Sequence, residues 1–425
     1  MRLHTDSIFA TNTENISRQE KLWHCFHEIH SDLDVGALFS RLDKFQIAIP
    51  SWALGTGGTR FGRFPGPGEP RSLEEKIADV ALLHQLAGNC GAISLHIPWD
   101  VPSDPEQVMN FATDHGIRFD AVNSNTFQDQ PGQKLSYKYG SLSHADAAVR
   151  QQAVEHNLEV VQHGIALGCK TLSVWLSDGS NFPGQQNFAR ALDRTRQSLQ
   201  TIYTAMPADF QLLLEYKPFE PNFYSTVIPD WGTSFLLCNK LGNRAKVLVD
   251  LGHHLPNTNI EQLVAVVYAE GRLGGFHFND SKYADDDLTT GSIRPYQLFL
   301  IFCELVAGLK NKGSELDMIS WMIDASHNVK DPLEDLLQAI DAIMLALLQA
   351  CLVDQDALEA ARDTNDAALA QDILMTAFRT DCRPLLAAYR LRNSRSINPV
   401  QTFRNLGVRA QLEKERGRTT VATGL

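Results

Sequence analysis

The sequence predicts an α/β chain that closes into a (β/α)8 TIM barrel, with helical extensions at both ends. Eight short apolar segments alternate with helical patterns, and polar residues able to bind metal follow consecutive apolar segments. Parallel strands need a long connection, usually a helix, so strict alternation indicates a parallel sheet. In an open doubly wound sheet the polar residues would gather where the strand order reverses, whereas here they follow successive strands.

The elements follow one another in a regular order. Candidate strands lie at 45–52, 92–98, 119–127, 170–176, 210–216, 245–251, 273–279 and 317–324, and the clearest helical patterns at 73–89, 144–168, 186–206 and 259–271. Amphipathic patterns precede and follow them, and residues 331–353 have the apolar content of a core helix. We predict an N-terminal helical extension at 1–44, a catalytic barrel at 45–350 and a C-terminal helical extension at 351–425, with the extensions capping the barrel or making subunit contacts.

Composition and charge argue against several classes of protein. The net charge is −12 and no concentrated basic face is evident, so we expect no nucleic-acid partner. Seven cysteines stand singly without a CxxC motif, which predicts neither a disulfide framework nor a thiolate zinc site. The first residues lack a signal-peptide pattern, and no apolar run reaches the ~18 residues of a membrane span. We therefore expect a cytoplasmic protein without a membrane partner.

Segment 55–70, GTGGTRFGRFPGPGEP, is rich in glycine and proline and follows the first predicted strand. It should form a long loop at the face where barrel active sites lie. Arg60 and Arg63 would suit a phosphate cradle, but the spacing matches neither GxxxxGK[ST] nor GxGxxG. A mobile lid or a subunit-contact loop is the favoured interpretation.

Seven candidate metal ligands follow the last four predicted strands. They are Glu215, Asp250, His253, His277, Asp285, Asp287 and Asp324. Five carboxylates and two imidazoles suit Mn²⁺, Mg²⁺ or Co²⁺ better than a thiolate-seeking metal. Seven ligands are too many for one ion, so we expect two neighbouring ions. Glu215, Asp250, His277 and Asp324 would surround the first, and His253, Asp285 and Asp287 the second.

The spacing of these residues supports two sites. Asp285 and Asp287 alternate, which places both carboxylates on one side of an extended segment, and Asp250 and His253 lie three residues apart across a turn. Either Asp250 or Asp287 would bridge the ions. A single aspartate at a strand end is also a common helix N-cap, and the acidic run would otherwise be a solvated turn. Seven such residues at consecutive strand ends are less readily explained by coincidence than by one shared metal centre.

The metal-ligand half also contributes one cation, and the opposite half of the barrel contributes rings. Lys217 lies two positions after Glu215, so its ammonium should reach the same cavity and stabilise a developing alkoxide, or else merely neutralise the acidic cluster. The rings are Trp52, His96, Trp99, Phe127 and Trp175. Together they suit the apolar face of a sugar, although any one of them alone is more often barrel core than a ligand contact. Asp100 follows His96 closely and would orient its imidazole for proton transfer, unless that histidine is only structural.

These motifs resemble those of the broad-specificity bacterial L-rhamnose isomerases, within the xylose isomerase-like barrels. The resemblance covers most of the chain and rests on EYKPFEP, VDLGHH, FHFNDSKYADDDL, MIDASHN, SLHIPWD and GTGGTRFGRFPG. It implies interconversion of L-rhamnose and L-rhamnulose, with D-allose and D-psicose left open as further substrates. It also implies two divalent ions per subunit, Mn²⁺ before Mg²⁺, Co²⁺ or Zn²⁺, and a homotetramer or dimer in which Phe61 reaches a neighbouring subunit's site.

The resemblance also implies individual roles. The first four-residue set matches a structural metal site and the second set a catalytic one. The residues matched to catalysis are His96, Lys217, Asp287 and Ser326. Those matched to substrate binding are Trp52, Phe61, His96, Trp99, Phe127, Trp175 and Lys217.

Aldose to ketose isomerisation moves hydrogen between C1 and C2, as a hydride or as a proton through an enediol. Two metals that polarise both oxygens favour the hydride route, with a water activated by Asp287 carrying the hydroxyl proton. A ketose 3-epimerase on the same barrel is an alternative, though it would use one metal and two glutamates. An AP-endonuclease-like barrel would need the basic groove that is absent here. A metal-stabilised sugar-binding protein without turnover is the third alternative.

Overall fold

A computed structural model describes residues 3–55, 64, 66–220, 224–312, 319–326 and 329–418 of this chain. Its main sheet is a closed ring of eight parallel strands in sequence order, with the last paired to the first. The strands are β1 Ile47–Pro50, β2 Ala92–Ile97, β3 Arg118–Ser124, β4 Thr171–Val174, β5 Gln211–Glu215, β6 Ala245–Asp250, β7 Leu273–Phe278 and β8 Ser320–Ile323. The predicted (β/α)8 barrel is confirmed, and each strand lies within its predicted range to within one residue.

One helix follows each strand. These are α3 Leu73–Ala87, α4 Pro105–Asp114, α5 Ala147–Ala166, α6 Phe188–Ala205, α7 Trp231–Leu241, α8 Ile260–Ala269, α9 Pro295–Lys312 and α10 Pro332–Cys351. Ahead of the barrel lie α1 Thr5–Ile29 and α2 Val35–Lys44; after it lie α11 Gln355–Asp363, α12 Ala367–Arg379, α13 Arg383–Arg392, α14 Pro399–Asn405 and α15 Val408–Arg416. Helical extensions are therefore present at both ends, while the exact domain limits stay a prediction.

Local sequence explains where most of these helices begin. The side chains that accept a hydrogen bond from a first-turn amide are those of Ser72, Asp104, Asp146, Asn187, Asp230, Asn259 and Asp331, which cap α3 to α8 and α10. Such caps satisfy amides that have no partner within the helix. Because each cap ends a strand-to-helix loop at a defined residue, the loops at this end of the barrel have fixed end points.

The barrel interior changes from apolar to polar along the strand direction. Its lower layer is the buried cluster Ala48, Ala92, Ala121, Leu213, Leu248 and Met322. Side chains alternate along a strand, so the residues two positions after Leu213, Leu248 and Met322 also face the barrel axis. Those residues are Glu215, Asp250 and Asp324. An apolar floor thus lies directly beneath the predicted metal ligands.

Helix α10 is the core helix that its apolar sequence predicts, with Leu336, Leu337 and Ile340 fully buried. Within the described ranges, no single helix has the length and apolar content to cross a membrane, and α10 with α11 passes that test only as a pair bent by 64°. Residues 56–63 and 65 of the predicted lid lie outside the described residues. The predicted role of Phe61, and the homotetramer or dimer linked to it, stay predictions.

Candidate metal centre

Four of the predicted ligands meet at the C-terminal mouth of the barrel. Glu215 ends β5, Asp250 ends β6, His277 lies one residue before the end of β7, and Asp324 follows β8. Each offers one ligand atom, and these atoms all lie within 4.8 Å of one another. The strand ends bring them together because neighbouring parallel strands finish at the same face. This is the set that the sequence analysis assigns to the first ion.

A second group shares one residue with the first. Asp250, His253 and Asp285 also offer ligand atoms within 4.8 Å of one another. Asp250 belongs to both groups and is fully buried, so its carboxylate has the position that a bridging ligand needs. Of the two candidates for that role, the geometry favours Asp250 over Asp287.

Asp287 is a member of neither group, and the expected extended alternation with Asp285 is wrong. Its backbone has a φ of +48°, in the left-handed region, so the chain turns between the two aspartates. Ser326 donates from Oγ to Asp287 Oδ2 at 2.8 Å and from its backbone nitrogen to Asp287 O at 3.2 Å. The two residues thus join the loops after β7 and β8 at the edge of the site.

The two imidazoles direct nitrogen atoms into the carboxylate groups. His277 Nδ1 lies 3.2 Å from Glu215 Oε1, 3.6 Å from Asp250 Oδ2 and 3.8 Å from Asp324 Oδ2. His253 Nε2 lies 3.2 Å from Asp285 Oδ1. Clustered carboxylates repel one another unless positive charge lies among them, and oxygen with imidazole nitrogen is a donor set that Mn²⁺ or Mg²⁺ accepts. The residues present therefore fit two divalent cations.

Without a bound cation, protons on the imidazoles supply that positive charge. Burial opposes charge on His277, but Glu215, Asp324 and Asp250 outweigh it and raise the pKa of His277 to about 9. Burial likewise opposes charge on His253, while Asp250 and Asp285 raise its pKa well above the ordinary value. Burial and the surrounding carboxylates raise the pKa of Asp250 to about 6, although His253 opposes this. The pKa of Glu215 is lowered because the imidazolium groups overcome the cost of its burial.

Metal binding is expected to release protons at pH 7. His277 and His253 are protonated in the metal-free protein, and a metal-ligating imidazole must be neutral, so loading both sites should release roughly two protons per chain. Titration calorimetry with Mn²⁺ in two buffers of different ionisation enthalpy measures this number. Apparent affinity should increase as the pH rises from about 6.5 to 9. A buffer-independent heat, or affinity unchanged over that interval, would contradict the assignment of these imidazoles as ligands.

Deprotonation of His277 should also change the stability of the metal-free protein. A histidine whose pKa is higher in the folded state contributes stability that is fully present below its unfolded pKa of about 6.5. For His277 this contribution is lost as the pH rises through about 9. The metal-free protein should accordingly lose part of its stability over this interval, as a decrease in Tm.

Asn279 is a site residue that the sequence analysis missed. Its Nδ2 donates to both oxygens of Asp250, at 3.0 and 3.1 Å, and the backbone nitrogen of Gly252 donates to Asp250 Oδ1 at 2.7 Å. These bonds hold the shared carboxylate in one orientation. A signal was available in the sequence, because Asn279 lies two residues after His277 and a strand would place both on one face.

Lys217 lies between two buried carboxylates. Its Nζ is 2.7 Å from Asp285 Oδ2, forms a closer ion pair with Glu220, and lies 5.2 Å from the ring centroid of Trp175. Glu220 was not predicted as a site residue; it belongs to the two-residue strand Phe219–Glu220, which pairs with Tyr224–Ser225. Asp285 thus contacts the ammonium through one oxygen and His253 through the other.

The predicted aromatic wall is formed on the other side of this cavity. The Trp52 and His96 ring centroids lie 5.4 Å apart, Phe127 is 5.6 Å from His96, and Trp175 is 4.8 Å from Phe127. Trp99 stacks on His96 at 4.3 Å. One cavity lies between this wall and the ligands and is lined by residues of both. Trp52 also joins the two sides, since its Nε1 donates to Asp324 Oδ1 at 2.8 Å.

The expected pairing of Asp100 with the His96 ring is wrong. Asp100 Oδ2 accepts from the backbone nitrogen of His96 at 2.8 Å and from the Ser51 hydroxyl, while its Oδ1 contacts Lys76 Nζ at 2.6 Å. Asp100 therefore stabilises the turn after β2, and the ring's Nδ1 has no hydrogen-bond partner within the described residues. Burial lowers the pKa of His96 to about 3, so its imidazole is neutral at pH 7.

Comparison with known proteins agrees with this geometry. Residues 81–299 match a family model described as the xylose isomerase-like TIM barrel. A "probable sugar isomerase" from Mesorhizobium japonicum is 50% identical over 423 residues, 98% of each chain. Another from Rhizobium meliloti is 50% identical over 415 residues, 96% of each chain. An L-rhamnose isomerase from Rhodopirellula baltica is 25% identical over 268 residues, which cover 55% of this chain and 60% of that protein.

Solved structures are similar in fold. A structure of L-ribulose 3-epimerase has a TM-score of 0.51 and 17% identity, and the match covers 76% of this chain and 97% of the other. A 3-keto-D-glucoside 4-epimerase from E. coli also has a TM-score of 0.51, with 12% identity over 70% of this chain and 98% of the other. At these identities the likeness is one of fold alone.

Proposed function

We propose, on the premise that this chain belongs to the xylose isomerase-like TIM-barrel family, that it is a metal-dependent aldose–ketose isomerase. Its substrates in this proposal are L-rhamnose and L-rhamnulose, with D-allose and D-psicose as a second pair. The two relatives that are 50% identical to it are named as sugar isomerases, and the more distant relative as an L-rhamnose isomerase.

One observation carries this proposal: two ligand groups share the buried Asp250, and other members of these groups line a cavity whose opposite wall consists of aromatic rings. An open-chain sugar has vicinal oxygens at C1 and C2, which two adjacent cations can contact together. The rings suit its carbon–hydrogen faces. A single ligand group would leave less support for a reaction at two neighbouring oxygens.

The ligand residues would hold two Mn²⁺ ions, which when bound would polarise the sugar oxygens. Lys217 keeps a buried ammonium at the cavity wall, held by Glu220 and Asp285, where it can stabilise negative charge on a sugar oxygen. His96 remains neutral, so its ring can accept a hydrogen bond from a sugar hydroxyl with one nitrogen while it donates one with the other. Asp287, with its Ser326 hydrogen bond, is assigned in this proposal to a proton relay from the edge of the site.

The overall reaction transfers one hydrogen from C2 to C1 and one proton from O2 to O1, so no oxidant or reductant is consumed. We favour direct transfer of the C2 hydrogen as a hydride. Retention of deuterium from a C2-labelled aldose in the ketose would support that route. Complete exchange of the label with water would contradict hydride transfer and support proton transfer through an enediol.

The test is a metal-restoration assay. The protein is stripped with a chelator, reloaded with Mn²⁺, and assayed for ketose formation from L-rhamnose and D-allose. Formation that requires Mn²⁺ on either sugar is the expected result. Full activity without metal would refute the metal-dependent mechanism. If neither aldose reacts while D-psicose is converted to its 3-epimer, the epimerase alternative replaces this proposal. If sugar binds in the presence of Mn²⁺ but no sugar is converted, the alternative of a sugar-binding protein without turnover replaces it.

A further inference from the structure

Three polar groups on the β3–β4 side of the cavity are buried and lack hydrogen-bond partners within the described part of the chain. They are the hydroxyls of Ser124 and Ser173 and the indole nitrogen of Trp175. All three residues line the cavity that contains the metal ligands. Ser124 and Ser173 are only 2% and 1% exposed, so bulk water does not satisfy their hydroxyls.

Ser173 lies close to the reacting end of the cavity. It is in register with Asn123 on β3 and Leu213 on β5, and Glu215 lies two residues after Leu213 on that strand. Trp175 lies two residues after Ser173, so both face inward. The Ser173 hydroxyl therefore points into the barrel one layer below Glu215.

Close packing of the barrel interior does not require a hydroxyl at position 173. The apolar cluster at the base of the barrel includes Leu213, the register partner of Ser173, and Ala121 on the neighbouring strand β3. Leaving a buried hydroxyl without a partner costs roughly 1–3 kcal/mol, whereas alanine at the same position would carry no such penalty. A polar group retained at this cost is consistent with a ligand that supplies its partner.

We propose that Ser173 is a specificity-determining residue that hydrogen-bonds a hydroxyl at C3 or beyond of an open-chain sugar bound at the metal centre. This inference rests on the proposed function. A hydroxyl both donates and accepts, so serine and a sugar hydroxyl satisfy each other, and the Trp175 indole donates to a further sugar oxygen. The metal side holds C1 and C2 through charge, while the β3–β4 side recognises the configuration of the remaining carbons.

The test combines an enzyme change with a substrate change. Ser173→Ala and the wild type are assayed on the best aldose and on analogues deoxygenated singly at C3, C4 or C5. Ser173→Ala should lower kcat/KM for the parent aldose about 10- to 100-fold, as expected for one lost hydrogen bond. For one deoxy analogue, which already lacks the contacted hydroxyl, the same change should have little effect. Equal effects on every analogue, or no effect on any, would overturn the proposal.

A matched control and a second readout separate this test from that of the proposed function. Ser94 on β2 is fully buried and its hydroxyl is also unpartnered within the described residues, but it does not line the cavity, so Ser94→Ala should leave substrate discrimination unchanged. Tm should be unchanged or higher in Ser173→Ala, whereas a purely structural role would lower it. Binding of ribitol to the Mn²⁺-loaded protein is followed by tryptophan fluorescence, because Trp52 and Trp175 line the cavity.

Two outcomes distinguish the hypotheses. If no aldose is isomerised but ribitol binding weakens about tenfold or more in Ser173→Ala and not in Ser94→Ala, the proposed function fails while the recognition site stands. If aldoses are isomerised but Ser173→Ala behaves as the wild type on every analogue, the isomerase stands and the recognition site fails.

Discussion

Replacing Asp250 by asparagine is expected to abolish most Mn²⁺ binding and to lower kcat/KM by more than about 10³-fold, because one change removes a charged ligand from both groups. Asparagine has nearly the same shape, so Asn279 and Gly252 can still contact residue 250. Metal content by mass spectrometry and ketose formation are measured together. Activity within tenfold of the wild type would contradict the shared-ligand assignment.

The same variant separates a lost ligand from a damaged fold. Burial and the neighbouring carboxylates both raise the pKa of Asp250, so a neutral side chain removes the cost of a buried, repelled charge when no cation is bound. The metal-free variant should thus have a Tm equal to or above that of the metal-free wild type, while the increase in Tm on adding Mn²⁺ should be smaller. Asp286→Asn is the matched control. Asp286 is adjacent to the proposed ligands but accepts from the backbone nitrogens of Lys282 and Tyr283. Its change should leave metal content and kcat unaltered.

Lys217→Met is expected to lower kcat about 10²- to 10³-fold while most Mn²⁺ binding persists. Methionine keeps most of the length of the side chain but removes the ammonium that would stabilise charge on the sugar oxygen. The expected decrease in kcat is the one typical of removing a single preorganised electrostatic group from a water-excluded active site. Asp285 loses its contact with Nζ but keeps its contact with His253. Saturation kinetics and metal content measure the two effects separately.

Two further variants test the alternative that Lys217 only neutralises the acidic cluster. Lys217→Arg keeps a positive charge but replaces the compact ammonium with a planar guanidinium in a different position, so it should remain impaired in kcat if position matters. Near wild-type activity in Lys217→Arg would favour simple neutralisation. Lys282→Met removes an exposed lysine from the acidic loop after β7 and should leave both kcat and metal content unchanged.

Much of the fold and of the ligand set could be predicted because both follow from local sequence. Each barrel strand is an apolar run followed by a polar residue, and the ends of neighbouring parallel strands meet at one face. The residues nearest those ends, such as Glu215 and His277, needed no knowledge of loop paths to be grouped. Lys217 follows from strand alternation alone, and its ammonium lies beside the same cavity, 5.2 Å from the Trp175 ring centroid.

Loop residues behaved differently, because their positions depend on backbone conformations that sequence spacing does not specify. A left-handed φ turns Asp287 away from the line of Asp285 and toward Ser326. Asp100 is four residues from His96, yet its carboxylate contacts that residue's backbone and Lys76 from another helix. Glu220 reaches Lys217 through a short two-stranded ribbon that the sequence analysis did not identify.

The sequence by itself determined the barrel, the order of the strands and the chemistry of the candidate metal site, since these depend on residue type and on periods of two and of about 3.6. Only the tertiary structure decided that Asp250 is common to both ligand groups, and that Ser173 and Trp175 present unpartnered polar groups to the same cavity. The physical reason is that hydrogen bonding and ligand sharing require distances of a few ångströms between atoms from different strands. Such distances are set by barrel closure and register, which no single segment of the chain encodes.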